Sequence, residues 1–223
     1  MTARAVRSFA RIEGRLSASQ QAALSEFGHL VVTPTSGLLT AVDPEFRVDT
    51  VFDDAAAALV LEVGSGDGGQ AIAYATAHPG VNVLAIEVYR EGIAAGLRAG
   101  AHLPNVRFVR ADAAALLASS APSGCLAEVW TYFPDPWRKA RHAKRRIVND
   151  SFATDVARAL VPGGVWRLAT DWPDYAAQMA DVLARSPLRV LPASRAERVV
   201  TKYENKALAA GRESHEFAAV RDA

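Results

Sequence analysis

The sequence predicts an α/β fold in which helices cover both faces of a mostly parallel sheet. From about residue 57, apolar runs of strand length alternate with helix-length segments, a pattern typical of right-handed βαβ crossovers. Several of these runs end at a glycine or an acid, as buried parallel strands often do. The chain has 223 residues, half of them hydrophobic, which is enough to bury such a sheet in one domain.

Each element follows from its local pattern. ALVLEVG at 58–64 is a continuous apolar run that stops at glycine, and the helix after it stops at Pro79-Gly80. Similar patterns predict seven strands, at 58–64, 81–88, 105–112, 126–133, 165–171, 188–192 and 198–203. They also predict five helices, at 68–78, 90–102, 113–119, about 145–160 and 173–185. Ligands of such sheets bind beyond the carboxyl ends of the strands, so we expect the site there.

The composition narrows the class of protein. No apolar run approaches the ~20 residues that a membrane span requires, and the N-terminal MTARAVRSFARIEGR lacks a signal core. Cys125 is the single cysteine, so no internal disulfide can form, which fits a reducing cytoplasm. The five histidines form no ligand-spaced pair. We therefore expect a cytoplasmic protein with no membrane partner and no metal.

The first 25 residues are expected to form a basic arm, followed by a single domain at 26–223. Arg4, Arg7, Arg11 and Arg15 recur at intervals of three and four, which would place them on one helical face. A solvated arm and a nucleic-acid contact fit this pattern equally well. The sequence leaves open whether the protein is a monomer or a homodimer.

A glycine-rich turn joins the first strand to the first helix. Gly64 and Gly66 allow a tight turn and close approach of a ligand to the backbone. Glu62 precedes this turn, while Glu87 and Asp112 end the next two strands. Glu87 could accept ribose hydroxyls, Asp112 an adenine amino group, and Glu62 an ammonium group. Such acids would repel a diphosphate and attract the cationic methionine part of S-adenosylmethionine. Any one of them could instead cap a helix, and the glycines alone do not exclude a nicotinamide cofactor.

The segment Phe133–Arg146 joins an acid and two aromatics to a burst of positive charge. Prolines fix φ on both sides of Asp135, so its carboxylate is held on a stiff loop after the fourth strand. Phe133 and Trp137 could stack on an exposed base, or they could be packing residues. The acid on its stiff loop therefore predicts chemistry at this point of the sheet.

Six cations follow within nine residues, although the formal net charge of the chain is only +1. They are Arg138, Lys139, Arg141, Lys144, Arg145 and Arg146. A solvated helix face is the usual explanation of a charge run, but these cations surround more than one face and no acid interrupts them. The cluster therefore predicts contact with a phosphate backbone.

Seven segments spread over nearly the whole chain carry one pattern. They are RSFARIEGRLSASQQAAL (7–24), LEVGSGDG (61–68), AIEVYREGI (85–93), RAD (110–112), FPDPWRKARHAKRRIV (133–148), ATDWPDYA (169–176) and TKYE (201–204). This pattern resembles the bacterial tRNA (guanine-N7)-methyltransferase, or TrmB, family. The resemblance implies a class I S-adenosylmethionine-dependent methyltransferase fold, which is Rossmann-like with a seven-stranded, mostly parallel sheet. It also implies methyl transfer from S-adenosylmethionine to N7 of guanine 46 in the variable loop of tRNA.

The resemblance also implies roles for individual residues. It implies contacts with S-adenosylmethionine for Glu62, Gly64, Gly66, Glu87, Asp112 and Asp135. It implies a catalytic or substrate-adjacent role for Asp135. It implies tRNA contacts or substrate-side positions for Lys139, Arg141, Lys144, Arg145, Arg146, Asp171, Thr201, Lys202, Tyr203 and Glu204.

Two departures from the family pattern limit these expectations. The family often reads F-G-M-G after its acid, whereas this chain has Ser65 and Asp67. After TKYE the family usually has Arg-Gly and later a Gly-His pair, where this chain has Asn205-Lys206 and then GRESHEF. No role is therefore predicted for residues 205–223.

Guanine N7 carries a lone pair and no proton, so the implied transfer requires no general base. We hypothesise that Asp135 instead accepts from N1–H and the 2-amino group, which would select guanine over adenine. Three alternatives stay open: a methyltransferase with a small-molecule substrate, a non-catalytic RNA-binding protein on the same fold, and a nicotinamide oxidoreductase. The first and third leave the cations without a use, and the second leaves the strand-end acids without one.

Overall fold

The computed structural model describes residues 8–9, 14–35, 39–54, 56–195 and 198–223, without the side chains of residues 202, 203, 206 and 207. The strands are β1 (Val31–Val32), β2 (Ala58–Val63), β3 (Val81–Ile86), β4 (Val106–Val109), β5 (Leu126–Tyr132), β6 (Leu160–Thr170), β7 (Arg189–Leu191) and β8 (His215–Val220). The α-helices are α1 (Ala18–Phe27), α2 (Gly69–Ala77), α3 (Arg90–Gly100), α4 (Ala113–Ser120), α5 (Asp150–Ala159), α6 (Pro173–Arg185) and α7 (Lys202–Ala209).

The eight strands form one sheet in the order β1-β4-β3-β2-β5-β6-β8-β7. Every pair from β1 to β6 is parallel, whereas β8 runs antiparallel to both β6 and β7. From β2, the next strands along the chain lie on one side as far as β4, and β5 and β6 lie on the other. The order of the strands therefore reverses between β2 and β5, and a crevice opens at the carboxyl ends of these two strands.

Two apolar clusters bury the faces of the sheet. On one face, Ala71 of α2 and Leu97 of α3 pack on the strands, with Leu24 of α1 against them. On the other face, Leu116 of α4 and Met179 of α6 belong to a second cluster. The predicted α/β fold with helices on both faces is confirmed.

The strand predicted at 188–192 is confirmed as β7, but the strand predicted at 198–203 is wrong. Residues 198–203 form no strand, because the Val199 N–H donates to Gln70 Oε1 at 2.7 Å and Thr201 Oγ1 accepts from the Glu204 N–H at 3.2 Å as α7 begins. The strand beside β6 is β8, at His215–Val220. With the two-residue β1 added at the other edge, the sheet has eight strands rather than seven within the described part of the chain.

The helix predicted from about residue 145 begins at Asp150. The Asn149 side chain caps it by accepting from the Phe152 N–H at 3.0 Å, and a 3-10 helix at Ala140–Arg145 precedes it. At the N-terminal end, the domain boundary expected at residue 25 lies within α1. Arg4, Arg7 and Arg11 of the basic arm lie outside the described residues.

Candidate active site

The turn after β2 is built from glycines in left-handed backbone conformations. Gly64 and Gly66 have φ of 72° and 59°, a backbone region that residues with a Cβ atom rarely adopt. The Gly64 N–H donates to the Ile86 carbonyl at 2.9 Å, and the Gly66 N–H donates to Glu87 Oε2 at 2.8 Å. A Cβ on Gly92 of α3 would lie 2.4 Å from the Gly66 carbonyl oxygen. The turn is therefore fixed against both β3 and α3.

Glu87 follows β3 and is buried beside this turn. Its carboxylate accepts from three backbone N–H groups, those of Gly66 at 2.8 Å, Val88 at 2.7 Å and Tyr89 at 3.0 Å. Burial raises the pKa of this carboxyl, although the backbone donors act in the opposite direction. Three fixed donors hold the side chain in one orientation against the cavity that it lines.

Glu62, on β2, is a buried acid among the predicted cofactor residues. Burial raises its pKa to about 8, the Ala71 N–H opposes this shift, and Glu87 and Asp67 add to it. Its Oε2 atom has no hydrogen-bond partner among the described residues. Glu62 lines a cavity of about 240 Å³, which residues 199–201 also line.

Asp112 follows β4 and caps α4. Its Oδ1 accepts from the N–H groups of Ala114 at 2.9 Å and Ala115 at 3.3 Å, so the helix-capping alternative describes at least this oxygen. Ala111 and Ala113, its neighbours in the chain, both line the main cavity. Its predicted role toward a cofactor stays a prediction.

The loop after β5 is held in an unusual conformation. Phe133 and Trp137 have φ of 49° and 45°, although neither is glycine. The Phe133 N–H donates to the Ala169 carbonyl at 2.8 Å, and Trp137 Nε1 donates to the Ser8 carbonyl at 2.9 Å. Contacts at both ends therefore fix the loop that carries Asp135.

Asp135 lines the main cavity and is also exposed to solvent. Partial burial raises the pKa of the carboxyl, and Arg145 acts in the opposite direction. The cavity has a volume of about 320 Å³. Its lining includes Ser8, Phe9, Gly64, Gly66, Glu87, Ala111, Ala113, Phe133, Asp135, Asp171, Trp172 and Arg212. One cavity thus joins the glycine turn to the Asp135 loop, as the sequence predicts.

The predicted tRNA-contacting cations divide into two groups. Lys139, Arg141 and Lys144 are exposed on and beside the 3-10 helix, where phosphates could reach them. Arg145 is half-buried: it lies 3.6 Å from the Trp137 ring centroid and donates to the Phe9 carbonyl at 2.6 Å. The exposed group forms a positive surface next to the cavity.

The structure contradicts the prediction that Arg146 contacts tRNA. Its side chain is 4% exposed, and its guanidinium bonds to the Pro136 carbonyl, Gln178 and Asp174, with the Tyr175 ring 4.9 Å away. A guanidinium enclosed in this way cannot pair with a phosphate in solution. Arg146 instead ties the Asp135 loop to α6.

The structure also contradicts the predicted substrate-side role of Glu204. It is 1% exposed and accepts two hydrogen bonds each from Arg195 and Arg198 at 2.7–2.9 Å. Burial disfavours its charge, but the bonds from Arg198 and Arg195 prevail and lower its pKa to about 2. Both of its oxygens are therefore engaged within the protein.

The remaining predicted substrate residues lie near the two cavities or cannot be described. Asp171 lines the main cavity and Thr201 lines the smaller one. The side chains of Lys202 and Tyr203 lie outside the described part of the structure.

Comparison with known proteins places the chain among methyltransferases. The model of the family described as "Putative methyltransferase" (Methyltransf_4) matches residues 56–217. The tRNA (guanine-N(7)-)-methyltransferase of Nocardioides sp. is 43% identical over 213 residues, which are 94% of this chain and 84% of that protein. The protein of the same name from Cutibacterium acnes is 42% identical, over 96% of this chain and 82% of its own length. The chain belongs to the tRNA (guanine-N7)-methyltransferase family. The resemblance stated from the sequence motifs is confirmed.

Solved structures agree on the fold of this family member. The 16S rRNA methyltransferase KamB has a TM-score of 0.56 at 18% identity, covering 77% of this chain and 95% of that chain. The geranyl diphosphate C-methyltransferase of Streptomyces coelicolor A3(2) has a TM-score of 0.51 at 15% identity, covering 74% and 75% of the two chains. At these identities the likeness establishes the methyltransferase fold alone.

Two residues of this family member were missed by sequence reasoning. Arg212 lines the main cavity and pairs with Asp171, its Nε lying 2.6 Å from Oδ2. Arg198 lies under the Asp135 loop, 5.0 Å from the Phe133 ring centroid. Neither lies at the end of a parallel strand, and no spacing in the sequence connects either to its partners, so no signal marked them. Among the described residues, no group of three potential metal-ligating side chains occurs, and no helix is long and apolar enough to span a membrane.

Proposed function

We propose that this protein transfers the methyl group of S-adenosylmethionine to N7 of guanine 46 in the variable loop of tRNA, in the cytoplasm. One observation carries the proposal: a single cavity joins the glycine turn and Glu87 to Asp135, and exposed cations lie beside its mouth. Membership of the family and the names of its curated relatives support the reaction and the substrate. The single thiol of Cys125 fits a reducing compartment.

The residues around the turn fit the proposed cofactor. The buried Oε2 of Glu62 has no partner among the described residues, and an ammonium group would supply one. A Cβ at Gly64 would meet nothing within 4 Å, so the turn has an open side on which a ligand can approach the backbone. Glu87 would accept the ribose hydroxyls, and Asp112 would accept the adenine amino group. When bound, the sulfonium group supplies an electrophilic methyl carbon and leaves as a neutral thioether.

Asp135 would hold the guanine rather than remove a proton from it. Its carboxylate accepts from N1–H and the 2-amino group, a pair of donors that adenine lacks on the same edge. N7 loses its lone pair to the new bond and becomes part of a cation, which the negative charge of Asp135 balances. The loop that is fixed at both ends aligns N7 with the methyl carbon. Alignment of this kind can lower the activation free energy by up to about 7–11 kcal/mol.

Lys139, Arg141 and Lys144 would hold the tRNA backbone. They are exposed and lie on one segment that leads away from the Asp135 loop. Contacts of this kind supply affinity and orientation but carry no sequence information. The base is then read inside the cavity and the backbone outside it.

One assay tests the proposal. The protein is incubated with methyl-labelled S-adenosylmethionine and unmodified tRNA, and the label is mapped by chemical cleavage at 7-methylguanine. We expect label at guanine 46, and none when that position is replaced by adenine. Label that stays off the tRNA, or that appears on another base, contradicts the proposal. Tight tRNA binding without transfer favours a non-catalytic RNA-binding protein instead.

A further inference from the structure

Arg212 is placed to contact a ligand bound in the main cavity. Its side chain is 30% exposed and lines that cavity, and its Nε donates to Asp171 Oδ2 at 2.6 Å. Among the described residues this is the only hydrogen bond of the guanidinium, so both terminal nitrogens retain their donors. Asp171 therefore fixes the arginine without using up its capacity to bind a ligand.

The surroundings of Arg212 suit a base edge better than a phosphate. The carboxylates of Glu87, Asp135 and Asp171 line the same cavity and outnumber its two guanidinium groups, those of Arg138 and Arg212, so the lining as a whole disfavours an anion. Pro134 supplies an apolar surface that a flat ring can contact, and the Arg138 guanidinium lies 4.8 Å from the Trp172 ring centroid. A ligand with both donors and acceptors along one edge matches this mixture of acids and guanidinium, and a purine has such an edge.

We propose that Arg212 donates a hydrogen bond to O6 of the target guanine and is a specificity-determining residue; this inference rests on the proposed function. Guanine presents an acceptor at position 6, whereas adenine presents an amino group, which would meet the guanidinium donor to donor. Asp135 reads the neighbouring N1–H and 2-amino group, so two side chains of opposite charge read adjacent positions of one edge. The bond to Asp171 balances the arginine charge, so Arg212 does not oppose the positive charge that develops at N7.

The test replaces one atom of the base and one side chain of the protein. The wild type, R212Q and R212K are compared on tRNA with guanine or 6-thioguanine at the target position. The thio base keeps N1–H, the 2-amino group and N7, but it offers a weaker acceptor at position 6. R212Q replaces the charged donor by a shorter, neutral amide, and the thio base weakens the acceptor, so we expect either change alone to lower kcat/KM about 10- to 100-fold. The two changes together should cost little more than one, since both weaken the same charged hydrogen bond. R212K keeps a donor without the planar fork and should fall in between.

A matched control and two further measurements make the outcome decisive. In the control R189Q, the replaced arginine also pairs through Nε with an aspartate, Asp222 at 2.9 Å, but it lies on β7 outside the residues that line the main cavity. We expect R189Q to keep wild-type kcat/KM on both substrates. R212Q should keep the thermal unfolding midpoint and the S-adenosylmethionine affinity of the wild type. A parallel loss of cofactor affinity, or a thio effect of equal size in R212Q and the wild type, overturns the role at O6. If the wild type methylates tRNA and R212Q is unimpaired, this inference fails alone, whereas a wild type that methylates no tRNA overturns the proposed function as well.

Discussion

At the scale of single residues, the reaction proposed here depends on carboxylates that differ in how they are held. Glu87 is fixed by three backbone donors and Asp112 caps a helix, so both are oriented before any ligand arrives. Glu62 is buried with one oxygen that lacks a partner among the described residues. Asp135 is partly exposed on a loop of unusual φ angles. These environments lead to different expectations for each acid.

The exposed acid is expected to act on the substrate and not on the cofactor. We predict that D135N and D135A lower kcat/KM for tRNA about 10- to 100-fold, because a charged acceptor for two guanine donors is removed. Affinity for S-adenosylmethionine, measured by calorimetry, should change much less. E26Q removes an exposed acid of α1 and should leave both quantities unchanged. Near-normal turnover in both Asp135 variants would contradict the assigned role.

The buried acid is expected to make cofactor affinity depend on pH. Glu62 has a pKa of about 8 before a cation binds, and the ammonium group should lower it. The bound state then holds fewer protons, so affinity for S-adenosylmethionine should rise with pH, by at most about tenfold per unit, and stop rising near pH 8, where the ammonium group of the ligand begins to lose its own proton. Calorimetric titrations between pH 6 and 9 measure this.

E62Q should bind more weakly and lose most of this pH dependence, because it has no proton to release. E45Q, which replaces an exposed glutamate far from the turn in sequence, serves as the control and should keep the wild-type profile. A wild-type affinity that does not vary with pH would show that no proton leaves Glu62 on binding.

At the scale of elements, the 3-10 helix and its flanks combine two functions in adjacent residues. The side chains of Lys139, Arg141 and Lys144 face solvent, whereas that of Arg146 is buried against α6. Sequence alone treats these cations as one cluster because their charges are the same. The difference arises from Asp174 and Gln178, which lie about thirty positions further along the chain and enclose only Arg146.

Removal of the exposed cations should weaken tRNA binding and make that binding less dependent on salt concentration. For K139A/R141A/K144A we predict a slope of log K against log salt that is lower by about 0.7–0.9 for each phosphate that the variant no longer neutralises. Fluorescence anisotropy at several salt concentrations measures it, and cofactor affinity should stay constant. R98A, an exposed arginine on α3, is the control. An unchanged slope would mean that these residues only solvate the segment.

Removal of the buried cation should act on stability instead. R146A leaves the Pro136 carbonyl and Oε1 of Gln178 without a hydrogen-bond donor, and we predict a loss of about 1–3 kcal/mol in the free energy of unfolding. Urea denaturation measures it, with R141A as the exposed counterpart that should change stability by less than about 0.5 kcal/mol. Equal stability of the two variants would show that Arg146 does not hold the loop.

At the scale of the whole molecule, the sequence correctly predicted which residues the parallel strands bring together at their carboxyl ends. Gly64, Glu87 and Asp135 meet at one cavity because the carboxyl ends of parallel strands lie along one edge, so their positions follow from the strand pattern. Arg212 and Glu204 could not be placed in this way. Each acquires its role from a partner brought near by the C-terminal region, whose strand β8 begins with the polar His215-Glu216 and gave no clear strand signal.

That C-terminal region is held by a buried ionic network. Glu204 joins Arg195 and Arg198, and Arg198 also bonds Glu216 of β8 while lying 5.0 Å from the Phe133 ring centroid. The network thus connects α7 and β8 to the base of the Asp135 loop. Arg198 has a side-chain exposure of 0%, so its charge has no access to water if Glu204 is neutralised.

E204Q should therefore destabilise the whole fold, by about 3 kcal/mol near pH 7, because it removes one of the two carboxylates that balance the buried guanidinium of Arg198. The pKa of Glu204 is lowered to about 2 by its arginines, so its contribution is fully present above the unfolded value near 4.5 and is lost as pH falls toward 2. The difference in unfolding free energy between the wild type and E204Q should shrink over that interval in urea titrations. D222N, which removes an exposed partner of Arg189, should cost less than about 1 kcal/mol at any pH. A difference between the wild type and E204Q that stays constant from pH 7 to pH 2 would mean that the charge of Glu204 does not stabilise the network.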